Sequence, residues 1–288
     1  MSERAPIVLA AVRGSEIALA HARDVQEVLA ARFPMELESG IVLRDAGDAA
    51  ILRGEADVAV HRMEHVPPKL PEDLVLAALL PRRSFTDALV ADFSLKTLPR
   101  GARVATSNIR RRAMLLRARP DLKVAETHAD VRERVRLWRV GDTDAVVLPT
   151  VSLTRLEVDA PYEELDPNVF VPSPGQGAIG CVCKRGSRFE EFLRGIDDAR
   201  TRTEVEVERA VLRVVGGTPG MPVGIHAAKR GGGVEVHAVV LSLDGRGAVR
   251  LKEEIAAADA LYHADEFGEK WKAMGADVLL EKARRALE

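Results

Sequence analysis

The 288-residue chain is 47% hydrophobic and 30% charged with a formal net charge of −2, the composition of a globular protein long enough for two or three cores. Aromatics at 4% are too few for a base-stacking nucleic-acid platform, and a near-neutral balance supplies no global field for a polyanion. The apolar run 7–12 is too short for a signal peptide and no run approaches a membrane span, while Cys181 and Cys183 lie too close together for a disulfide framework, so the chain is expected to be cytoplasmic, without nucleic-acid or membrane partners.

Residues 6–12 read as a buried strand. Arg13-Gly14-Ser15 forms a turn with Ser15 as N-cap, and 16–33 has helical periodicity. A strand over 36–43, a short helix over 46–53 and a strand over 56–60 follow. This alternation marks an α/β domain with a mainly parallel sheet. The pattern then repeats: a strand over 102–105, a helix capped by Ser107 or Asn108 and running to Arg119, a strand over 123–126, a helix over 129–139 and a strand over 145–148. The expected fold class is therefore α/β, with two similar lobes around a cleft. The turn-rich stretch 171–177 reads as a crossing, and 178–184 as an apolar strand returning to the first lobe. A long polar helix over 188–213 leads to a smaller C-terminal α+β domain. Its segments 222–228, 234–243 and 248–256 alternate like an antiparallel sheet, and a last helix covers 264–287. The expected boundaries are 1–93 with 173–198 for the first lobe, 97–170 for the second, and 200–288 for the third.

Arginines crowd residues 100–139, so a local anion site is possible without a basic chain. Two helix starts, Arg13-Gly14-Ser15 and Thr106-Ser107-Asn108-Ile109-Arg110-Arg111, combine backbone N–H groups, hydroxyls and guanidiniums, the parts of a carboxylate clamp. A solvated surface charge is the plainer reading of an arginine so placed. His61-Arg62-Met63-Glu64-His65 fits a zinc-protease string. That reading is rejected because a strand leads in and Val66-Pro67-Pro68 leads out, whereas the metal motif needs one helical face. Cys181 and Cys183 share one face of a strand, as buried structural cysteines do.

Four stretches together, namely Arg13-Gly14-Ser15, Val60-His61-Arg62-Met63-Glu64-His65, Pro174-Gly175-Gln176-Gly177-Ala178 and Gly216-Gly217-Thr218-Pro219-Gly220, resemble those of the hydroxymethylbilane synthase (porphobilinogen deaminase) family. Thr203–Ala210, Asp87-Ala88 and Ala273–Ala276 extend the resemblance along the whole chain. The resemblance implies periplasmic-binding-protein-like lobes, a monomer, and polymerisation of porphobilinogen into a linear tetrapyrrole on a dipyrromethane cofactor. It also implies that Arg13, Ser15, Thr106, Ser107, Arg110, Arg111, His128 and Arg134 face the acetate and propionate groups of the ligand. His128 stands where the family has an arginine, and a neutral imidazole cannot grip a carboxylate bidentately.

Two chemical parts differ. The family's cofactor cysteine is Thr218 here, and a threonine hydroxyl is a weak nucleophile without a base beside it. The family's catalytic aspartate is His65, which can carry a proton but holds no fixed negative charge. The family's mobile lysine-bearing segment falls on Leu43, Arg44, Asp45 and Ala46, with neither lysine. The expectation is a divergent member that binds an anionic pyrrole or linear tetrapyrrole without covalent attachment of the cofactor and with normal turnover lost. An active deaminase with an altered anchor, and a two-lobed binder of an unrelated anion, are the alternatives.

Overall fold

The structure is a computed structural model and describes residues 5–12 and 14–288. In chain order, β1 (Ala5–Val12) leads through Gly14 into α1 (Glu16–Arg32), followed by β2 (Leu37–Arg44), α2 (Gly47–Leu52), β3 (Val58–Arg62), a 3-10 turn over Met63–His65 and β4 (Leu74–Leu79). Next come β5 (Asp87–Val90), β6 (Arg103–Ala105), α3 (Ile109–Ala118), β7 (Lys123–Ala125), α4 (Val131–Arg139), β8 (Ala145–Pro149), α5 (Thr150–Arg155) and β9 (Tyr162–Glu164). The chain continues with β10 (Ile179–Lys184), α6 (Glu190–Arg194), α7 (Ala199–Val214), β11 (Val223–Arg230), β12 (Gly233–Leu241), β13 (Ala248–Ala256), α8 (Ala260–Ala273) and α9 (Ala276–Arg285). Two compact units result, one of residues up to Arg83 with Gly177–Arg202, the other of Ser84–Gln176 with Thr203–Glu288.

The first unit holds a five-stranded sheet in the order β2-β1-β3-β10-β4. β1 runs parallel to β2 and β3, and β10 runs antiparallel to both its neighbours. Alternation along the strands builds two faces. Ile7, Leu9, Val58 and Val60 pack with Val25 and Leu29 of α1, while Ala59 and Val182 pack with Ile51 of α2 on the other side. Ser15 starts α1, its Oγ accepting from Ala18 N at 3.3 Å, which satisfies one of the orphan donors of a helix start.

The second unit repeats the pattern. Its five-stranded sheet runs β7-β6-β8-β5-β9, with β6 parallel to β7 and β8, and β5 antiparallel to β8 and β9. Both sheets are thus α/β with one reversed strand in the same place. A three-stranded antiparallel sheet, β11-β12-β13, completes the unit. β12 is buried on both faces. Val236 and Val240 join Val211, Phe267 and Trp271, while Val239 and Leu241 join Leu89, Val104 and Leu115. This double burial ties the C-terminal sheet to the second α/β lobe, so residues the sequence divides between two domains share one compact unit.

Some elements differ from the expected ones. Residues 87–93, assigned by sequence to the first lobe, include β5, which pairs in the second sheet. Runs such as Leu74–Leu79 and Asp87–Val90 are largely buried and show no period from which a strand could be read. The helix expected over 188–213 is interrupted between α6 and α7. Asp198 restarts it by accepting from Thr201 N at 2.7 Å, and Gly195 lies so close to Phe33 that a Cβ would sit 2.7 Å from the ring. The last helix is likewise divided at Gly275, whose φ of 94° favours glycine.

Gly224 of β11 shows how tightly the parts meet. A Cβ there would lie 2.4 Å from Val171 O, and Ile225 N donates to Pro172 O at 2.9 Å. Gly224→Ala should destabilise the protein by about 1–3 kcal/mol in urea unfolding through overpacking. Gly232→Ala, where nothing lies within 4 Å, serves as the control and should change stability far less.

Candidate ligand-binding site

In α/β sheets ligands gather at the carboxyl ends of the parallel strands. In the second unit that edge carries the loop Thr106-Ser107-Asn108 after β6. Asn108, not Ser107, caps α3, its Oδ1 accepting from Arg111 N at 3.0 Å. Thr106 is buried, and its Oγ1 accepts from Asn108 N at 3.3 Å. These bonds fix the first turn of α3 and with it the start of the arginine pair.

Both arginines turn inward onto one carboxylate. Asp87, at the start of β5 and opposite Pro149 at the end of β8, has no exposed surface. Its Oδ2 lies 2.7 Å from Arg110 Nη2 and its Oδ1 2.8 Å from Arg111 Nε. Gln176 Nε2 adds a bond to Oδ1 at 2.9 Å and another to Phe85 O at 2.8 Å. Arg110 also donates from Nε to Ser173 Oγ at 3.0 Å and from Nη1 to Val171 O at 2.8 Å. Burial pushes the Asp87 carboxyl upward more strongly than any one neighbour opposes it. The charges of Arg110 and Arg111, with hydrogen bonds from Arg110 and Gln176, together outweigh burial and hold it below its ordinary value.

Arg134, on α4, donates from Nε to Ala129 O at 2.6 Å and from Nη2 to Ser107 Oγ at 3.1 Å. Ser107 and Arg134 therefore meet. His128 lies apart on the surface, 81% exposed, with Nε2 3.0 Å from Glu126 Oε1.

In the first unit, Arg13 lies outside the described residues and Ser15 serves as the cap of α1. His65 ends the 3-10 turn after β3, so the His61–His65 string lies on no α-helix. Its side chain is 59% exposed, with Nε2 3.6 Å from Glu64 Oε1. His61 forms a closer pair, Nε2 to Asp48 Oδ1 at 2.6 Å. At the expected position of the mobile lysine segment, β2 ends at Arg44 and α2 begins at Gly47, leaving Asp45 and Ala46 as the link.

Thr218 is exposed in the loop between α7 and β11, after Gly216, whose φ is 74°. The two cysteines, the chain's full complement, are free and buried in β10. Burial pushes the Cys181 thiol up to about 12, with Cys183 and Asp197 adding to the shift, and burial also raises Cys183.

Residues 39–190 match the family described as porphobilinogen deaminase, dipyromethane cofactor binding domain. The chain is 42% identical over 255 residues to a porphobilinogen deaminase of Rubrobacter xylanophilus, covering 81% of this chain and 84% of that protein. A probable porphobilinogen deaminase of Methanocella arvoryzae is 36% identical over 297 residues, covering 96% and 98%. The chain belongs to the porphobilinogen deaminase family. Among solved structures it is similar to the methionine-binding protein MetQ, with a TM-score of 0.44, 16% identity, and coverage of 74% of this chain and 96% of that one. It is also similar to the aliphatic sulphonate binding protein SsuA of Escherichia coli, with a TM-score of 0.42, 19% identity, and coverage of 73% and 70%.

The family cofactor named in that description needs an accessible thiol if a thioether is to hold it. The residues here do not fit such a bond. Both thiols are buried and kept protonated, and a threonine occupies the loop position. Residue types identified the arginine pair, whereas its partners Asp87 and Gln176 went unassigned. Both lie in stretches that carry the family resemblance, Asp87-Ala88 and Pro174–Ala178, but the sequence assigned neither a role.

Two outcomes follow. Asp87→Asn should cost about 3–5 kcal/mol at neutral pH, the penalty for leaving buried guanidiniums uncompensated. Because the folded carboxyl titrates below its ordinary 3.8, its contribution is complete above that pH and is lost as pH falls through the folded value. Urea unfolding from pH 7 to 3 should therefore fall less steeply below about pH 4 in the variant. A disulfide-exchange reagent should leave both thiols of the native chain unmodified and titrate both after unfolding.

Proposed function

We propose that this member of the family binds an anionic pyrrole or linear tetrapyrrole without covalent attachment, and that normal deaminase turnover is lost. The observation that carries the reading is the absence of a usable thiol. The chain's two cysteines are buried in β10, and Thr218 stands in the exposed loop that carries the anchor in the family. Its hydroxyl makes no side-chain hydrogen bond among the described residues, so no base draws off its proton. His65 supports the same reading, since an exposed imidazole beside Glu64 supplies no fixed negative charge for a pyrrole nitrogen. The arginines serve an anionic ligand. Arg134 with Ser107 and the inward pair on Asp87 concentrate guanidinium donors at the carboxyl ends of β6 and β8, the chemistry of carboxylate recognition.

A deaminase with an altered anchor is the second reading, favoured by the names of relatives that match most of the chain. The intact mass of the denatured protein, purified from cells that make porphobilinogen, separates the two. The expected mass is that of the unmodified chain. An adduct of two pyrrole units would overturn the proposal and make the altered anchor the leading reading.

A further inference from the structure

We infer that His61, held by Asp48, is the acceptor that receives a pyrrole N–H of the ligand, with Asp48 as its positioning residue. The inference rests on the anionic-pyrrole reading above and names the group of the first unit that meets the ring nitrogen.

In the first sheet β1, β2 and β3 run parallel, so their carboxyl ends form the edge at which ligands gather in such sheets. His61 is the penultimate residue of β3, and Asp48 lies in the first turn of α2, which follows the end of β2. Gly47 makes their meeting possible. A Cβ there would lie 2.8 Å from Ala59 Cβ, so a glycine lets α2 come down on β3 closely enough for Asp48 Oδ1 to reach His61 Nε2 at 2.6 Å.

That bond decides what the imidazole can do. A carboxylate only accepts, so Nε2 carries the proton and, in the neutral ring, the lone pair is left on Nδ1. Nδ1 makes no hydrogen bond among the described residues and is not sealed from solvent. The side chain is 20% exposed, so the ring is held in place while one nitrogen stays within reach. Asp48 comes from a different element, and its bond fixes the orientation of the ring as well as its tautomer.

The lone pair also selects its partner. A pyrrole N–H, like an indole N–H, donates and does not accept, the complement of an unprotonated imidazole nitrogen. A ligand carboxylate has no proton to offer Nδ1 and meets the charge of Asp48 behind it. His61 therefore takes the ring of the ligand and not its acidic arms, and it does so by a neutral hydrogen bond, without a fixed charge.

The test combines calorimetric titration of porphobilinogen into the intact chain with histidine-selective nitrogen NMR in mildly alkaline buffer, which reads the tautomer of each ring. In the unaltered chain His61 should show the Nε2–H tautomer, and porphobilinogen should shift its Nδ1 resonance. His61→Gln places an amide nitrogen where Nε2 stood, keeps the donation to Asp48 and removes Nδ1. It should keep most of the melting temperature and weaken binding about three- to tenfold, the loss of one neutral hydrogen bond. Asp48→Asn, which can donate as well as accept, should admit the Nδ1–H tautomer and weaken binding although His61 is still present. A merely structural pair would leave affinity unchanged in both variants.

Unchanged affinity in folded His61→Gln, or an Nδ1–H tautomer in the unaltered chain, overturns the inference while leaving the binding function intact. If His61→Gln does not fold, the Nδ1 resonance of the unaltered chain decides, and its failure to move when porphobilinogen binds overturns the inference. No binding by the unaltered chain overturns the anionic-pyrrole reading, and the inference with it.

Discussion

A carboxylate with no exposed surface, Asp87, lies between two guanidiniums that are themselves almost sealed from water. Buried ions are tolerated only when they are paired and hydrogen-bonded, and much of the second unit serves that pairing. β5 brings Asp87 to the end of β8, Asn108 fixes the first turn of α3, and the crossing contributes Ser173, the Val171 carbonyl and Gln176. The demand reaches further. Gly224 lets β11 approach the Val171 carbonyl that Arg110 uses. Buried Glu208 of α7 accepts from Gly175 N at 2.6 Å and from Ala227 N at 2.9 Å. A strand, two helices, a crossing and the C-terminal sheet are thus joined through polar contacts that tolerate little displacement.

The regular part of this architecture is visible in the amino-acid pattern. Strand and helix periods alternate twice, Ser15 and Asn108 are suitable caps, and both lobes appear in sequence as repeated strand–helix–strand runs. What escaped is tertiary in origin. β4 and β5 are apolar runs without a period, and only pairing with β10 or β8 makes them strands. The polar period of 188–213 runs on through residues 195–198, where Asp197 accepts from Leu79 N at 2.8 Å and from Arg202. Those bonds to β4 and α7 interrupt a helix that local propensity would continue.

The site was legible in the same uneven way. Motifs pointed to Arg110, Arg111, Arg134 and Ser107, because guanidiniums beside a helix start are chemically distinctive. They gave no sign that the adjacent pair is buried, since burial depends on Asp87 and Gln176, which lie far away in sequence. His128, which stands where the family has an arginine, faces solvent beside Glu126. The family fold is present throughout, while the loop after α7 offers a hydroxyl and the thiols sit in a strand core, as expected when function resides in a few grafted side chains.

Strand order also has a temporal consequence. β10 occupies the place between β3 and β4 in the first sheet, although the whole of β5–β9 precedes it in the chain. During synthesis from the N-terminus, β3 and β4 emerge early and must wait with unpaired edges until residues 179–184 leave the ribosome. The second sheet has no such delay, because β5–β9 follow one another. The strands of the second sheet can therefore pair before those of the first, reversing the order in which their first strands are made, and a nascent chain stalled before residue 179 would present two open strand edges to chaperones or to other chains.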